Sequence, residues 1–273
     1  MTYFYFCNSS FYSTADKPKI MTDNAITFIG HSTLLINIGG FKILTDPILT
    51  NWVYCVPRIR RAKINVERLD NNVDLILISH AHNDHLNKGT LKKFSREIPI
   101  ATHFNNKNYL NGCQCDNIIE FDHWQKKEFL NGNIKITLVP ASHSKTLPWG
   151  PFGTPGGFII ESEKHNIYFA GDTSFCEDIL VEISQRFKID TLLMPVGAYS
   201  PRWLLKNEHV NPEEALKALK IIGAKKMIPI HWGSFMLALD TPQKPIRILR
   251  KKIKGTDFEN KVVILKNGET FYF

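Results

Sequence analysis

Residues 75–90 read LILISHAHNDHLNKGT, and they place His80, His82, Asp84 and His85 within six positions, directly after an apolar run. Side chains at i and i+2 of an extended chain point the same way. His80 and His82 can therefore grip one metal. The chain then turns, and Asp84 and His85 face a second position. Three imidazoles packed together repel one another when protonated and make a poor core without a metal to coordinate. Three more donors follow apolar runs: His143 after ITLVPAS, Asp172 after IYFAG and His231 after MIPI. His143 would complete the first metal and His231 the second, with the two oxygens of Asp172 bridging both. Nitrogen and oxygen donors, four or fewer from the protein per metal, suit two Zn²⁺ per chain sharing one water, with other divalent metals as alternatives. Isolated histidines at strand ends are more often structural, and His103, His123 and His165 are read that way.

These donors need strands to carry them, because in sheet-based α/β proteins ligands collect beyond the carboxyl ends of strands. AITFIGHSTLLINIGGFKILTDP reads as three short strands, with Gly39-Gly40 marking a turn. VDLILIS is a nearly continuous apolar strand, as expected for one buried on both faces. LNKGTLKKFSREI has helical spacing. IPIATH, NIIEF, KEFLNGNIKITLVPA with its Asn-Gly turn, and GGFIIESEKHNIYFAGDT continue the strands. After Asp172 the style changes to alternation: SFCEDILVEISQRFKI helical, DTLLMPVG extended, NPEEALKALKIIG helical, KKMIPIHWG extended. Asn211 is an N-cap before Pro212 at N1, Glu213 and Glu214 occupy the first turn, and Gly223 is a stop. PIRILRKKIKG reads as a last helix and KVVILKNGETFYF as a closing hairpin. Two β-rich sheets packed together and covered by helices fit this order. Residues 1–24 read as an N-terminal extension and 25–273 as one domain.

The chain has 273 residues, 43% hydrophobic and 22% charged, ordinary for a globular protein. It holds no run of eighteen apolar residues, so no membrane span is expected. The start lacks the basic and continuous apolar parts of a signal peptide. Five scattered cysteines suggest reduced thiols in the cytoplasm rather than a disulfide framework. A net charge of +8 suits an anionic partner. Arg58, Arg60 and Arg61 cluster in PRIRRAKI. No RNA-binding arm stands apart from the rest, so no nucleic acid is expected. The aromatic start (Tyr3, Phe4, Tyr5, Phe6, Phe11, Tyr12) can cover the core, meet a second copy in a homodimer, or touch a bilayer interface.

H-x-H-x-D-H followed by a distant His, Asp and His resembles the metallo-β-lactamase fold. FIGHSTLLINIGGFKILTDPI, FAGDTSFC, PVGAYSPRW, EHVNPEEA and IHWGSF narrow the resemblance to the branch containing N-acylphosphatidylethanolamine-hydrolysing phospholipase D. It implies a four-layer αββα sandwich with a dinuclear site at one edge: one metal on His80, His82 and His143, another on Asp84, His85 and His231, and Asp172 between them. It implies that Asp46 supports the histidine loop, the plainer reading being a turn cap. His31 is expected to support the site rather than coordinate. Asp84 and His209 are assigned to catalysis, His209 by stabilising charge or aiding protonation; its plainer reading is a packed helix-entry residue. Tyr199, Arg202 and Trp203 are assigned to the substrate pocket, against a merely packed loop. Glu208 stands where the resemblance expects an amide side chain. The implied activity is phosphodiester hydrolysis of phospholipase D type on a lipid or small-molecule substrate, in the cytoplasm or peripherally at a membrane. A lactonase placing a sugar phosphate on Arg58, Arg60 or Arg61 is one alternative. A membrane-associated binding module with a vestigial metal site is another.

Overall fold

The computed structural model describes residues 24–61, 69, 72–143, 146–147, 150–151 and 153–273. The aromatic start and Cys7 lie outside the described residues. The chain opens with a meander of β1 (Ala25–Gly30), β2 (Thr33–Ile38) and β3 (Phe41–Thr45). Gly39 and Gly40, both at positive φ, close its second turn. A short hairpin of β4 (Trp52–Val53) and β5 (Val56–Pro57) follows. Then come β6 (Leu75–Leu77), the single-turn helix α1 (Lys88–Leu91), β7 (Ile100–His103) and β8 (Ile118–Phe121). The helix read across LNKGTLKKFSREI is thus only one turn long, capped by the Asn87 side chain on Thr90 N. Antiparallel β9 (Lys126–Phe129) and β10 (Ile134–Pro140), the small pair β11 (Thr146–Leu147) and β12 (Gly150–Pro151), then β13 (Gly156–Ser162) and β14 (Asn166–Phe169) complete the strand-rich part. Alternation follows: α2 (Glu177–Arg186), β15 (Thr191–Pro195), α3 (Arg202–Leu205), α4 (Pro212–Ile222), β16 (Lys226–Ile230), α5 (Lys244–Ile253) and β17 (Thr270–Tyr272).

Two main sheets result, ordered β17-β1-β2-β3-β6-β7-β8 and β16-β15-β14-β13-β10-β9. The period of two decides what lies between them. Ile26, Phe28, Leu34, Ile36, Leu75 and Leu77 join the second sheet in one large apolar cluster with residues of α2, α4 and α5. Their neighbours Ile29, Leu44, Ile76 and Ile78 turn the other way, into a second cluster under Leu69, Leu91 and Phe94. The architecture is the mixed α/β sandwich of layered sheets and helices expected from the sequence. Helix α4 carries the expected capping box between Asn211 and Glu214, and ends at Gly223 with left-handed backbone.

The closing hairpin does not form. Val262 bridges Met227 at the edge of the second sheet, while Thr270–Tyr272 pairs with β1 at the edge of the first. An exposed edge offers unpaired backbone groups to any extended segment. Here two edges lie within reach of one tail, and they divide it.

Candidate metal centre

The donors arrive at one rim of the sandwich from seven strand ends or turns. Three of them leave the ordinary backbone regions: His31 in the β1–β2 turn, Asp46 after β3 and His231 after β16 have φ of 60°, 32° and 59°. Such left-handed backbone costs roughly 1–3 kcal/mol per residue and persists where the surroundings over-determine it. His231 N donates to the His31 carbonyl at 2.9 Å, which locks two of these turns together. Gly197, after β15, passes so close that a Cβ there would collide with the His231 carbonyl.

His80, His82 and His143 form one group. Ser79 Oγ donates to Asp46 Oδ2 at 2.6 Å and so accepts from His80 Nδ1 at 3.0 Å. His143 Nδ1 donates to the Glu208 carbonyl at 2.7 Å. Both rings therefore turn Nε2 lone pairs inward. His80 Nε2 lies 2.9 Å and His143 Nε2 3.1 Å from His82 Nδ1. One N–H can serve only one of those acceptors, so hydrogen bonding alone cannot satisfy both. The three rings are a donor set that a divalent cation takes. Burial, reinforced by the neighbouring imidazoles His85, His82 and His143, holds His80 well below its ordinary pKa. Burial lowers His82 to about 4.

Asp84, His85 and His231 form the other group, with Asp172 between the two. His85 Nε2 and His231 Nε2 each lie 3.1 Å from Asp172 Oδ2, and 3.5 and 3.3 Å from Asp84 Oδ2. His85 Nδ1 donates to Asp46 Oδ2 at 2.6 Å, and Ser79 N donates to Asp46 Oδ1 at 2.7 Å. Burial alone would raise both aspartates. The cationic His85 beside Asp84 and His231 beside Asp172 outweigh it and hold both carboxyls well below their usual range. Conversely, burial opposes charge on His85 and His231, but Asp172 and Asp84 overcome it, with Asp46 adding at His85. His85 is raised well above its ordinary value and His231 to about 9. Asp172 Oδ1 is buried without a hydrogen-bond partner, an orphaned acceptor of the kind a cation would satisfy. The residues present fit two divalent metals.

The other expected site residues are also close. His31, 2% exposed, has Nε2 at 3.0 Å from Asp84 Oδ2. Burial lowers its pKa to about 3, so this contact is a hydrogen bond from a neutral ring. His209 Nδ1 stands 3.6 Å from Asp172 Oδ2, its pKa held well below the ordinary range by burial. Arg202 donates to the His209 carbonyl at 2.7 Å and to both Glu214 oxygens at 2.7 and 2.9 Å. It fastens the His209 turn to α4. Tyr199 is buried with an unpartnered hydroxyl pushed up to about 12 by burial, whereas Trp203 is 84% exposed. Arg58 lies over Phe235 and donates to the Ile48 and Thr50 carbonyls, leaving Arg60 and Arg61 as the exposed pair of that cluster. His103, His123 and His165 stay outside, bonded to Asn105 N, the Pro155 carbonyl and Thr191 Oγ1. Sequence reasoning passed over two residues: Ser79, whose place beside His80 was the available signal, and Tyr54, whose hydroxyl accepts from Asn83 N at 3.3 Å.

Residues 42–232 match the family model described as the beta-lactamase superfamily domain. The chain is 29% identical over 270 residues to N-acyl-phosphatidylethanolamine-hydrolyzing phospholipase D 1 of Caenorhabditis elegans, covering 90% of this chain and 76% of that one. It is 32% identical over 217 residues to a metal-dependent hydrolase of Flavobacterium johnsoniae, covering 77% and 85%. A solved structure described as a "possible metal-dependent hydrolase" of Veillonella parvula superposes with a TM-score of 0.79 at 19% identity, covering 92% of this chain and all of that one. With its layered sheets and buried histidine–aspartate cluster, the chain belongs to the metallo-β-lactamase superfamily of metal-dependent hydrolases.

Proposed function

We propose that the protein is a dinuclear-zinc phosphodiesterase of phospholipase D type, taking N-acylphosphatidylethanolamine-like or other lipid phosphodiesters. The observation that carries the lipid reading is an apolar rim. Seven of the ten exposed large apolar side chains among the described residues sit on three loops tied to the metal centre. Trp52, Tyr54 and Ile59 belong to the first, joined to the histidine loop through Tyr54 and to Ser234 through Ile59 N. Met236 and Leu239 belong to the second, joined to Ser200 through Leu239 N. Trp203 and Leu204 belong to the third, beside Arg202. Exposed apolar groups gathered at a site mark a surface for an apolar partner, and aromatic ones suit a lipid–water boundary. The name of the C. elegans relative supports the same substrate class.

His80, His82 and His143 would hold one metal, and Asp84, His85 and His231 the other, with Asp172 shared. Bound there, the metals lower the pKa of water and offset charge on phosphoryl oxygens. Asp46 and Ser79 hold the His85 and His80 rings at the angle this requires. His209, kept neutral, offers an N–H to a phosphoryl oxygen, and Arg202 keeps its turn in place. The reading takes residues 25–273 as the hydrolase domain, and residues 1–24 as an extension available for bilayer or homodimer contact, in a cytoplasmic protein. No described helix is long and apolar enough to cross a membrane. A sugar-phosphate lactonase would have to hold its phosphate without Arg58, which is engaged in its own loop.

The test is hydrolysis of N-acylphosphatidylethanolamine in vesicles, of soluble phosphodiesters, and of lactones, by zinc-loaded and metal-stripped protein. The expected outcome is zinc-dependent release of phosphatidate, faster from vesicles than from dispersed short-chain analogues. Undiminished turnover by verified metal-free protein, or lactone hydrolysis alone, sinks the reading.

A further inference from the structure

A histidine that binds metal through one ring nitrogen nearly always donates from the other to a carboxylate, a carbonyl or a water, which fixes the angle of the ring. For His80, His85 and His143 those partners are Ser79, Asp46 and the Glu208 carbonyl. His231 differs. Its Nε2 is turned to Asp172 and Asp84, while its Nδ1 is buried with no hydrogen-bond partner among the described residues. A small cavity of about 10 Å³ lies against this ring. That is room for a single water molecule, provided that polar groups hold it. Its described lining joins His231 to Gly197, Ala198 and Trp232 on one side and to Phe235 and Asp240 on the other.

Asp240 is the carboxylate of that lining, and it is 4% exposed. Its Oδ2 accepts from Ala198 N at 3.0 Å and its Oδ1 from Ser200 N at 3.1 Å. Two neutral N–H groups leave a carboxylate with lone pairs for a further donor, and burial makes that donor worth having. The same bonds fix the turn that holds Ala198 at a φ of 57°. Gly197, in that turn, abuts the His231 carbonyl. Asp240 thus supports the backbone behind His231 and also faces the cavity that its ring lines.

We propose that Asp240 is the positioning residue of His231, and that one water in the cavity accepts from His231 Nδ1 and donates to the Asp240 carboxylate. This rests on the two-metal reading above and not on the class of substrate.

The first test is a high-resolution crystal structure of the zinc-loaded full-length protein. One ordered water is expected within hydrogen-bond distance of both His231 Nδ1 and an Asp240 oxygen. A cavity without that water, or a water touching only one of the two groups, overturns the proposal. The second test is Asp240→Asn, which keeps the shape and weakens the acceptor. Zinc affinity at each position is read by competition with a chromogenic chelator. The ring N–H of His231 is read in cobalt-loaded protein as a paramagnetically shifted, solvent-exchangeable proton signal. Affinity at the Asp84–His85–His231 position is expected to fall about 10-fold with the other position unchanged, and the His231 N–H is expected to exchange faster with solvent. Equal weakening at both positions with unaltered exchange would make Asp240 a general fold residue and overturns the proposal, as does no change at all. Should the variant not fold, the wild-type crystal structure decides alone. Failure of the two-metal reading looks different: the wild type would take up a single zinc per chain, and the proposal would fall with it.

Discussion

The two halves of the metal centre are built from similar side chains but store charge in opposite ways. On one side, His80 Nε2 and His143 Nε2 lie 2.9 and 3.1 Å from His82 Nδ1, and burial keeps protons off His80 and His82. On the other, Asp84 and Asp172 hold protons on His85 and His231. Without metal the second half is a buried network of ion pairs, and in the first half two ring acceptors, His80 Nε2 and His143 Nε2, face the single His82 Nδ1. The difference teaches that one short string of donors contributes to two clusters of different character. Asp84, by turning the second site anionic, decides where protons replace metal.

Breaking the bridge should have the largest effect. Asp172→Asn removes the carboxylate between the two halves, and the proposed phosphodiesterase activity is expected to fall by about 10³-fold or more, since metal-based charge stabilisation amounts to several kcal/mol. Near-normal turnover at full metal occupancy would contradict the bridging role. Next comes Asp46→Asn. Through Ser79 and His85 it touches both halves, so metal affinity is expected to drop about 10–100-fold at both positions, read by competition with a chromogenic chelator. His31→Asn sharpens the contrast. It touches Asp84, His85 and His231, all of the second group, so weakening of about 10-fold is expected at the second position alone, and equal weakening at both would show that the halves are not separable in this way.

The smallest effect is a matter of sign. In metal-free protein, His82 has a folded pKa of about 4 against an ordinary 6.5. The unfolded chain takes up the proton first, so this half loses stability as pH falls from 6.5 toward 4. His231 is raised to about 9. The folded chain keeps the proton longer, so the second half is fully stabilising below 6.5 and loses that contribution as pH rises through 9. The melting temperature of metal-free protein should therefore decline on both sides of about pH 6.5. His82→Asn should flatten the acid limb and His231→Asn the alkaline limb. Loss of both limbs in either variant would break the comparison.

Much of this was legible beforehand for a local reason. A strand shows its two faces as a period of two, and a cap shows as Asn211-Pro212 followed by Glu214. The ligand string sits within six residues of one strand end. Non-local choices were not legible. KVVILKNGETFYF has hairpin chemistry, yet two free sheet edges divided it. Arg202 carries a charge suited to substrate, yet the proximity of the His209 carbonyl and Glu214 gave it structural partners. Glu208 contributes a backbone oxygen to His143, a role that no spacing encodes.

By itself, then, the sequence determined the residue types, the strand ends that carry them and the metal-dependent class of chemistry, because those follow from local periodicity and donor chemistry. Only the tertiary structure decided which nitrogen of each ring faces inward, which imidazoles hold protons, and that a cavity opens beside His143. Those properties arise from distances and burial between segments far apart in the chain, and they exist only once the two sheets have packed.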